Sequence, residues 1–274
     1  MLGAGGLLGR HIVEELAGHP VRALVRRACD ISDLAQVREG TRDVDVVINC
    51  AAYTNVDGAE AEPDAAYRAN ALGAENAARA ALESNARLLH ISTDFVFDGA
   101  QADPYDEFSA PNPLSVYARS KWAGEELVAR RGGSSILIRV QGLYGAGGGN
   151  FSSKLRDLLL AGKSLKLDCE RRVQPTWARA AARQIVRLAS SDAIGTYHVS
   201  CAGETTWAGF ARVLAERLGL PQSWAEIPTR ELQATAARPP NCVFQHRMLA
   251  LHGFGPMPTW QVALDEYLAE AAAR

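Results

Sequence analysis

Gly3-Ala4-Gly5-Gly6-Leu7-Leu8-Gly9 places glycines at positions 3, 6 and 9, and the residues from Gly9 to Leu16 then read as a helix. Glycines at this spacing let the backbone turn tightly and approach a pyrophosphate, while the following helix presents its N-terminus to the negative charge. A helix-opening turn is the plainer reading of the same residues, since the chain holds 24 glycines. The context supports the phosphate-binding loop: a helix follows, and Val21-Arg22-Ala23-Leu24-Val25 reads as the next strand. Only Met1 and Leu2 precede Gly3, where a strand normally takes about five residues: either upstream residues are missing from this chain or the sheet tolerates a stub.

Outward from this loop, short β-branched runs alternate with alanine-rich stretches. Val44–Ile48, Leu88–Ser92 and Ile136–Val140 read as buried strands, and residues 64–84 and 117–129 as helices. Strand and helix in alternation predict an α/β fold: a Rossmann-type, doubly wound parallel sheet. Residues 1–145 are expected to form a dinucleotide-binding domain, with later segments near 177–200 returning to it. Residues 146–274 then form mostly a smaller α/β substrate-binding lobe, with helices at 151–161 and 205–218, the second capped by Thr205 or Thr206. Prolines 228, 239, 240, 256 and 258 mark 228–258 as loops and short elements.

Bulk properties exclude several classes. With 47% hydrophobic and 22% charged residues, the 274-residue chain is an ordinary globular protein. A net charge of −2 gives no footprint for nucleic acid or a membrane surface. No apolar run reaches the roughly 18 residues of a span, and the first residues do not read as a signal peptide. Five scattered cysteines without a Cys-x-x-Cys pair suggest free thiols in the reducing cytoplasm. Six histidines without ligand spacing point to no metal.

The chemistry is carried by Ser115-Val116-Tyr117-Ala118-Arg119-Ser120-Lys121. Tyr117 and Lys121 stand one turn apart on one helix face, where an ammonium can lower a phenol's pKa and the phenol can hand a proton to a carbonyl oxygen. The hydroxyl of Thr93, in Ser92-Thr93-Asp94, would orient that carbonyl from a neighbouring strand end. A hydride donor is required, and the glycine loop would hold it. Arg26-Arg27 end the second strand where an acidic residue would bind a ribose 2′-OH, so NADPH is favoured over NADH; two solvated loop arginines are the other reading.

Together the loop and the Tyr–Lys pair resemble the extended short-chain dehydrogenase/reductases, and more narrowly the dTDP-4-dehydrorhamnose reductase family. The resemblance runs almost end to end. It is carried by Asp30-Ile31-Ser32-Asp33, by Val47-Ile48-Asn49-Cys50-Ala51-Ala52-Tyr53-Thr54-Asn55-Val56-Asp57 with Ala59-Glu60, and by Ile91–Gly99. It continues in Pro113–Glu125 and, more loosely, in Pro175-Thr176, residues 203–207 and Arg238-Pro239-Pro240-Asn241.

This resemblance implies NADPH-dependent reduction of the C4 ketone of a nucleotide-linked 6-deoxyhexose. Tyr117 would be the proton donor, Lys121 would hold the nicotinamide ribose, and Thr93 would bond the carbonyl. Gly3, Gly6, Leu7, Leu8 and Gly9 would cradle the phosphates. Arg26, Asp30 and Ile31 would lie near the adenosine, and Ala51, Ala52, Tyr53 and Ser92 would line the channel. Asn70 would support the proton relay, or serve only its helix. Thr93, Asp94, Phe95, Tyr117, Gln141 and Gly142 would face the sugar, although a strand-end Asp94 could equally cap the next loop. A homodimer is compatible with the resemblance.

The chain departs from the family at Phe95, where tyrosine is usual, at Gln141-Gly142, where Ser-Trp is expected, and at Gln174. All three changes are expected toward the sugar, so a reductase of a different dTDP-4-keto-deoxysugar is one rival reading. A 4,6-dehydratase would need an acidic residue where Phe95 follows Asp94. An epimerase is not excluded by local sequence. The third rival is a non-catalytic regulatory subunit like methionine adenosyltransferase β; an intact Thr93, Tyr117 and Lys121 favour turnover.

Overall fold

The computed structural model describes residues 1–273. In chain order its elements begin α1 (Leu7–Glu15), α2 (Leu34–Gly40), β1 (Val46–Asn49), α3 (Val56–Ala61), α4 (Pro63–Tyr67), α5 (Gly73–Glu83) and β2 (Arg87–Thr93). Then follow α6 (Val116–Arg131), β3 (Ser135–Val140), β4 (Leu143–Tyr144), α7 (Phe151–Leu160), β5 (Leu165–Asp168) and β6 (Thr176–Trp177). The last are α8 (Ala178–Ala189), β7 (Gly195–Val199), α9 (Trp207–Arg217), β8 (Trp224–Ile227), α10 (Arg247–Leu251) and α11 (Trp260–Ala272).

The main sheet is parallel, in the order β1-β2-β3-β7. Helices cover both of its faces, which is why β2 is buried from Leu88 to Thr93 and shows no polar alternation. The stub before the glycine loop extends the sheet. Leu2 bridges in parallel to Leu24 on one side and to Asn49 on the other. The chain therefore leaves Leu2 for Leu24 on one flank and crosses to β1 on the other. The crevice between Gly3 and Cys50 is the point where winding reverses, the place where such sheets bind ligands. The expected strand Val21–Val25 reduces to this single bridge. Arg22 and Ala23 are exposed, and Leu24 is held by its N–H to Met1 O (2.9 Å) while its carbonyl accepts from Ala4 N (3.0 Å).

Residues 64–84 do not form one regular helix. Arg68–Leu72 between α4 and α5 is a π-helical turn, a distortion that often marks functional sites. α6 crosses this turn so closely that a Cβ on Gly124 would lie 2.2 Å from Asn70 O. α6 itself starts at Ser115, whose side chain accepts from Ala118 N, and stops at Gly132 with φ +70°.

The later part adds a second core, with Tyr144, Trp177, Phe210, Trp260 and Tyr267 packed together, beside the small parallel pair β5–β8. Thr206, one of the two expected caps, accepts from Gly209 N and opens α9. No helix among the described residues is long and apolar enough to cross a membrane.

Candidate functional site

The glycine loop is built by close approach. Gly3 has φ +75°, and a Cβ there would stand 2.5 Å from Ala51 N; a Cβ on Gly9 would stand 2.3 Å from Gly3 O. Only glycine fits either place. Gly6 differs: it is exposed, and the one atom near its Cβ position is Gly3 O at 3.5 Å. Gly6 is also the N-cap of α1 and brings no side chain to the first turn, so the N–H groups of Leu7, Leu8 and Gly9 have no capping partner. Open space at Gly6 and uncapped donors behind it fit a diphosphate.

Across the crevice, the end of β1 is locked from below. Asn49 is fully buried, accepts from Ala51 N (3.0 Å) and meets His90 Nδ1 (3.0 Å). Asn70 accepts from Tyr53 N (2.8 Å) and donates to Tyr53 O (3.1 Å) and Ser120 Oγ (2.9 Å). It thus stands behind the channel wall and ties the Ala51–Tyr53 segment to α6. The Tyr53 hydroxyl turns away to Glu62 (2.7 Å). Ser92 Oγ is buried without a partner.

On the adenosine side, Arg26 is exposed on a loop. Asp30 spends its carboxylate on Ser32 N (2.9 Å) and Oγ (2.8 Å), and these bonds, with Arg26 nearby, hold it below the usual carboxylate range. Ile31 packs at the face of Gly73, where a Cβ would come within 2.6 Å of its methyl.

Tyr117, Thr93 and Lys121 converge at the end of β2. Tyr117 is buried and meets the ring of Phe95 edge-on (6.1 Å, 83°). Burial pushes its phenol up to about 12, and a hydrogen bond with Thr93 works the other way. In this structure burial outweighs the lowering influence on the phenol. The Lys121 ammonium is turned to Ile91 O (2.6 Å) and is itself depressed to about 8 by burial, with Glu125 opposing. The tyrosine is therefore firmly protonated at neutral pH, the state a proton donor needs.

Thr93 has a double role. Its Oγ1 accepts from Phe95 N (3.3 Å), capping the turn Asp94–Val96, and donates to Asp94 Oδ1 (3.0 Å). Capping of this strand end thus falls to Thr93. Asp94 is buried, and burial raises its carboxyl to about 6 against the Cys242 thiol, Thr93 and the Arg171 guanidinium.

Two expected substrate-facing departures are internal. Gln141 is 1% exposed and its side-chain oxygen accepts from Gln174 N. Gln174 is 3% exposed; its Oε1 accepts from Ser200 Oγ (2.9 Å) and Phe244 N (2.8 Å), and its Nε2 donates to Phe244 O (3.2 Å). The pair stitches β3, β7 and the Phe244 segment together behind the site. Gly142 holds φ +55° against Gln174 O. An open concavity of about 790 Å³ between Gln101–Ser109 and Phe244–Arg247 is lined by none of Thr93, Tyr117 or Lys121.

Sequence reasoning missed Glu125, Arg171 and Cys242. Glu125 was findable, being one turn beyond Lys121; it is buried and bonded to Arg139 (2.8 Å) on β3. Arg171 and Cys242 carry no local signal, because only the fold brings them to Asp94. Asp57 likewise pairs with Arg238 (2.7 Å), joining the segment after β1 to the Arg238–Asn241 segment.

The family model described as the RmlD substrate binding domain matches residues 1–273. A dTDP-4-dehydrorhamnose reductase of Mycobacterium tuberculosis is 36% identical over 279 residues, covering 98% of this chain and 92% of the relative. A dTDP-4-keto-6-deoxy-D-glucose reductase of Streptomyces niveus is 35% identical over 270 residues, covering 96% and 94%. The crystal structure of dTDP-4-dehydrorhamnose reductase from Bacillus anthracis in complex with NADP superposes with TM-score 0.95 at 36% identity, covering 98% of this chain and 97% of that one. The chain therefore belongs to the RmlD family, the dTDP-4-dehydrorhamnose reductase branch of the extended short-chain dehydrogenase/reductases.

Proposed function

We propose that this protein reduces the C4 ketone of a dTDP-linked 4-keto-6-deoxyhexose with NADPH, with dTDP-4-dehydrorhamnose as substrate and dTDP-L-rhamnose as product. The observation that carries this reading is the convergence of Thr93, Tyr117 and Lys121 beside a glycine loop open only at Gly6. Relatives named for this reaction, one of them crystallised with NADP, agree with it.

NADPH supplies the hydride. Gly3, Gly6, Leu7, Leu8 and Gly9 hold its diphosphate, Arg26 and Asp30 face its adenosine end, and Ala51, Ala52 and Tyr53 form the channel wall that Asn70 braces. Tyr117 donates its phenolic proton to the C4 oxygen, which Thr93 orients. Lys121, mostly cationic at neutral pH with its pKa near 8, stabilises the phenolate left one turn away. The ring of Phe95 helps to exclude water from Tyr117.

We place the substrate-binding lobe mostly within 146–274, with α8 and β7 belonging to the nucleotide-binding half. Free cysteines at 29, 50, 169, 201 and 242 suit a cytoplasmic enzyme.

Turnover of dTDP-4-dehydrorhamnose, followed by NADPH absorbance, tests the reading. Tyr117→Phe should lower kcat by about 100- to 10,000-fold, the usual range for a lost general acid, while NADPH binding persists. Equal rates for the two proteins would refute the assigned acid.

A further inference from the structure

We propose that Arg139 serves the reaction by holding the Glu125 carboxylate away from Lys121, so that the Lys121 ammonium stays free for the nicotinamide ribose and the Tyr117 phenolate. This rests on the reductase reading above and adds a positioning residue to it.

Helix geometry creates the hazard that Arg139 removes. Lys121 and Glu125 are one turn apart on α6, a spacing that brings Cβ atoms to about 5–6 Å on one face and lets opposite charges pair. Both side chains are buried, at 2% and 1% exposure, so solvent and salt screen their attraction little. An ammonium drawn onto that carboxylate would be neutralised and turned from the ribose. The two nevertheless do not pair. Lys121 Nζ donates to Ile91 O (2.6 Å) on β2, the strand that ends at Thr93.

The Glu125 carboxylate is engaged by Arg139. Arg139 Nε donates to Glu125 Oε1 (3.1 Å) and Oε2 (3.2 Å), and Nη2 donates to Oε2 (2.8 Å). A guanidinium fork of this kind fixes both oxygens in one plane. Arg139 is itself held by other segments. Its guanidinium carbon lies 5.1 Å from the centre of the Phe97 ring, which stacks on Tyr105 (4.3 Å). Its Nη1 meets Nε2 of His198 on β7 (3.4 Å). His198 Nδ1 meets Tyr105 O (3.2 Å), and the imidazole stacks on Phe244 (3.9 Å). A carbonyl only accepts, so Nδ1 carries the proton and Nε2 accepts from the guanidinium. Burial and Arg139 keep His198 neutral, which leaves Glu125 as the anion that Arg139 meets.

Folding alone does not call for this pair, because apolar side chains of similar size in place of a buried ion pair are often as stable. The clamped carboxylate still favours the charged form of Lys121 through space. It thus supports the ammonium without capturing it. Arg139 touches neither ketone nor cofactor and acts only through Glu125 and Lys121.

The test compares wild type, Arg139→Met and the double variant Glu125→Met/Arg139→Met. Three readouts serve: ligand-free crystal structures, NADPH binding by fluorescence titration, and kcat at about pH 6.5, below the value near 8 at which Lys121 gives up its proton. Arg139→Met should move Lys121 Nζ from Ile91 O to Glu125 and weaken NADPH binding about tenfold, the worth of a hydrogen bond to a charged group. Its kcat should fall at least about tenfold. The double variant should return Lys121 to Ile91 O and bring both constants within about threefold of wild type, a non-additivity that a mere fold anchor does not produce. If Arg139→Met fails to fold, the double variant decides alone, since it leaves no unpaired buried charge. Lys121 still on Ile91 O in Arg139→Met would overturn the clamp, and so would a double variant at least about tenfold weaker for NADPH than wild type. A wild type that reduces no 4-keto sugar nucleotide would overturn the reductase reading, while the crystal structures and the NADPH titration still judge the clamp.

Discussion

Gly6→Ala separates the two jobs of the glycine loop. At Gly6 the added methyl finds only Gly3 O, at an ordinary 3.5 Å, and φ is −72°, where alanine is at ease. Losing glycine's freedom in the unfolded chain stabilises by about 0.4–1 kcal/mol, and alanine at an N-cap costs a similar amount, so folding stability should move by less than about 1 kcal/mol. That is a Tm change within about 2–4 °C for a chain of this size. The methyl nevertheless projects where a diphosphate would meet the α1 N-terminus. Gly9→Ala is the contrast, because its methyl lies 2.3 Å from Gly3 O and 3.0 Å from Ala4 Cα. α1 must shift, at a cost of about 1–3 kcal/mol before any ligand is added. Thermal melts with and without NADPH read both effects. Wild type at NADPH one hundred times its Kd should gain about 2.7 kcal/mol. Gly6→Ala should melt like wild type alone and lose most of that gain; Gly9→Ala should melt lower from the start. If Gly6→Ala keeps full NADPH stabilisation, the loop does not hold the diphosphate and the placement of the cofactor fails.

Two further variants test the site's supports. Lys121 has its pKa depressed from 10.5 to about 8, so the folded chain sheds this proton first and wild-type stability should climb by about 3 kcal/mol between pH 8 and 10.5 relative to Lys121→Met. Urea midpoints that run parallel over this range would contradict a desolvated ammonium. Gln174→Ala strands the Phe244 N–H and should destabilise by about 2–4 kcal/mol, with a sugar KM changed far less than stability. Unchanged melting with a large KM rise would instead put Gln174 against the substrate.

Legibility in the sequence followed the range of the interactions. The sheet strands after the first loop were readable because burial on both faces writes an unbroken apolar run, as in Leu88–Thr93. Tyr117 and Lys121 were readable because helix spacing alone makes them neighbours. Val21–Val25 carries the pattern of a strand, but among the described residues it pairs through the single bridge of Leu24 to Leu2. The π-helical turn at Arg68–Leu72 was not readable either; Asn70 there satisfies Tyr53 and Ser120, contacts that no local pattern announces.

The amino-acid sequence by itself determined the alternation of elements, the glycine loop and the Tyr–Lys acid pair, since each depends on residues a few positions apart. Tertiary structure alone decided the electrostatics. The phenol rises because Tyr117 is buried, the ammonium turns to Ile91 O instead of the phenol, and Asp94 meets Thr93, Cys242 and Arg171. It also committed the Gln141 side chain to Gln174 N and the Gln174 side chain to Ser200 and Phe244. Desolvation and long-range pairing depend on which segments are brought together, and that is settled only when the sheet, α6 and the segments at 171 and 242 close around one point.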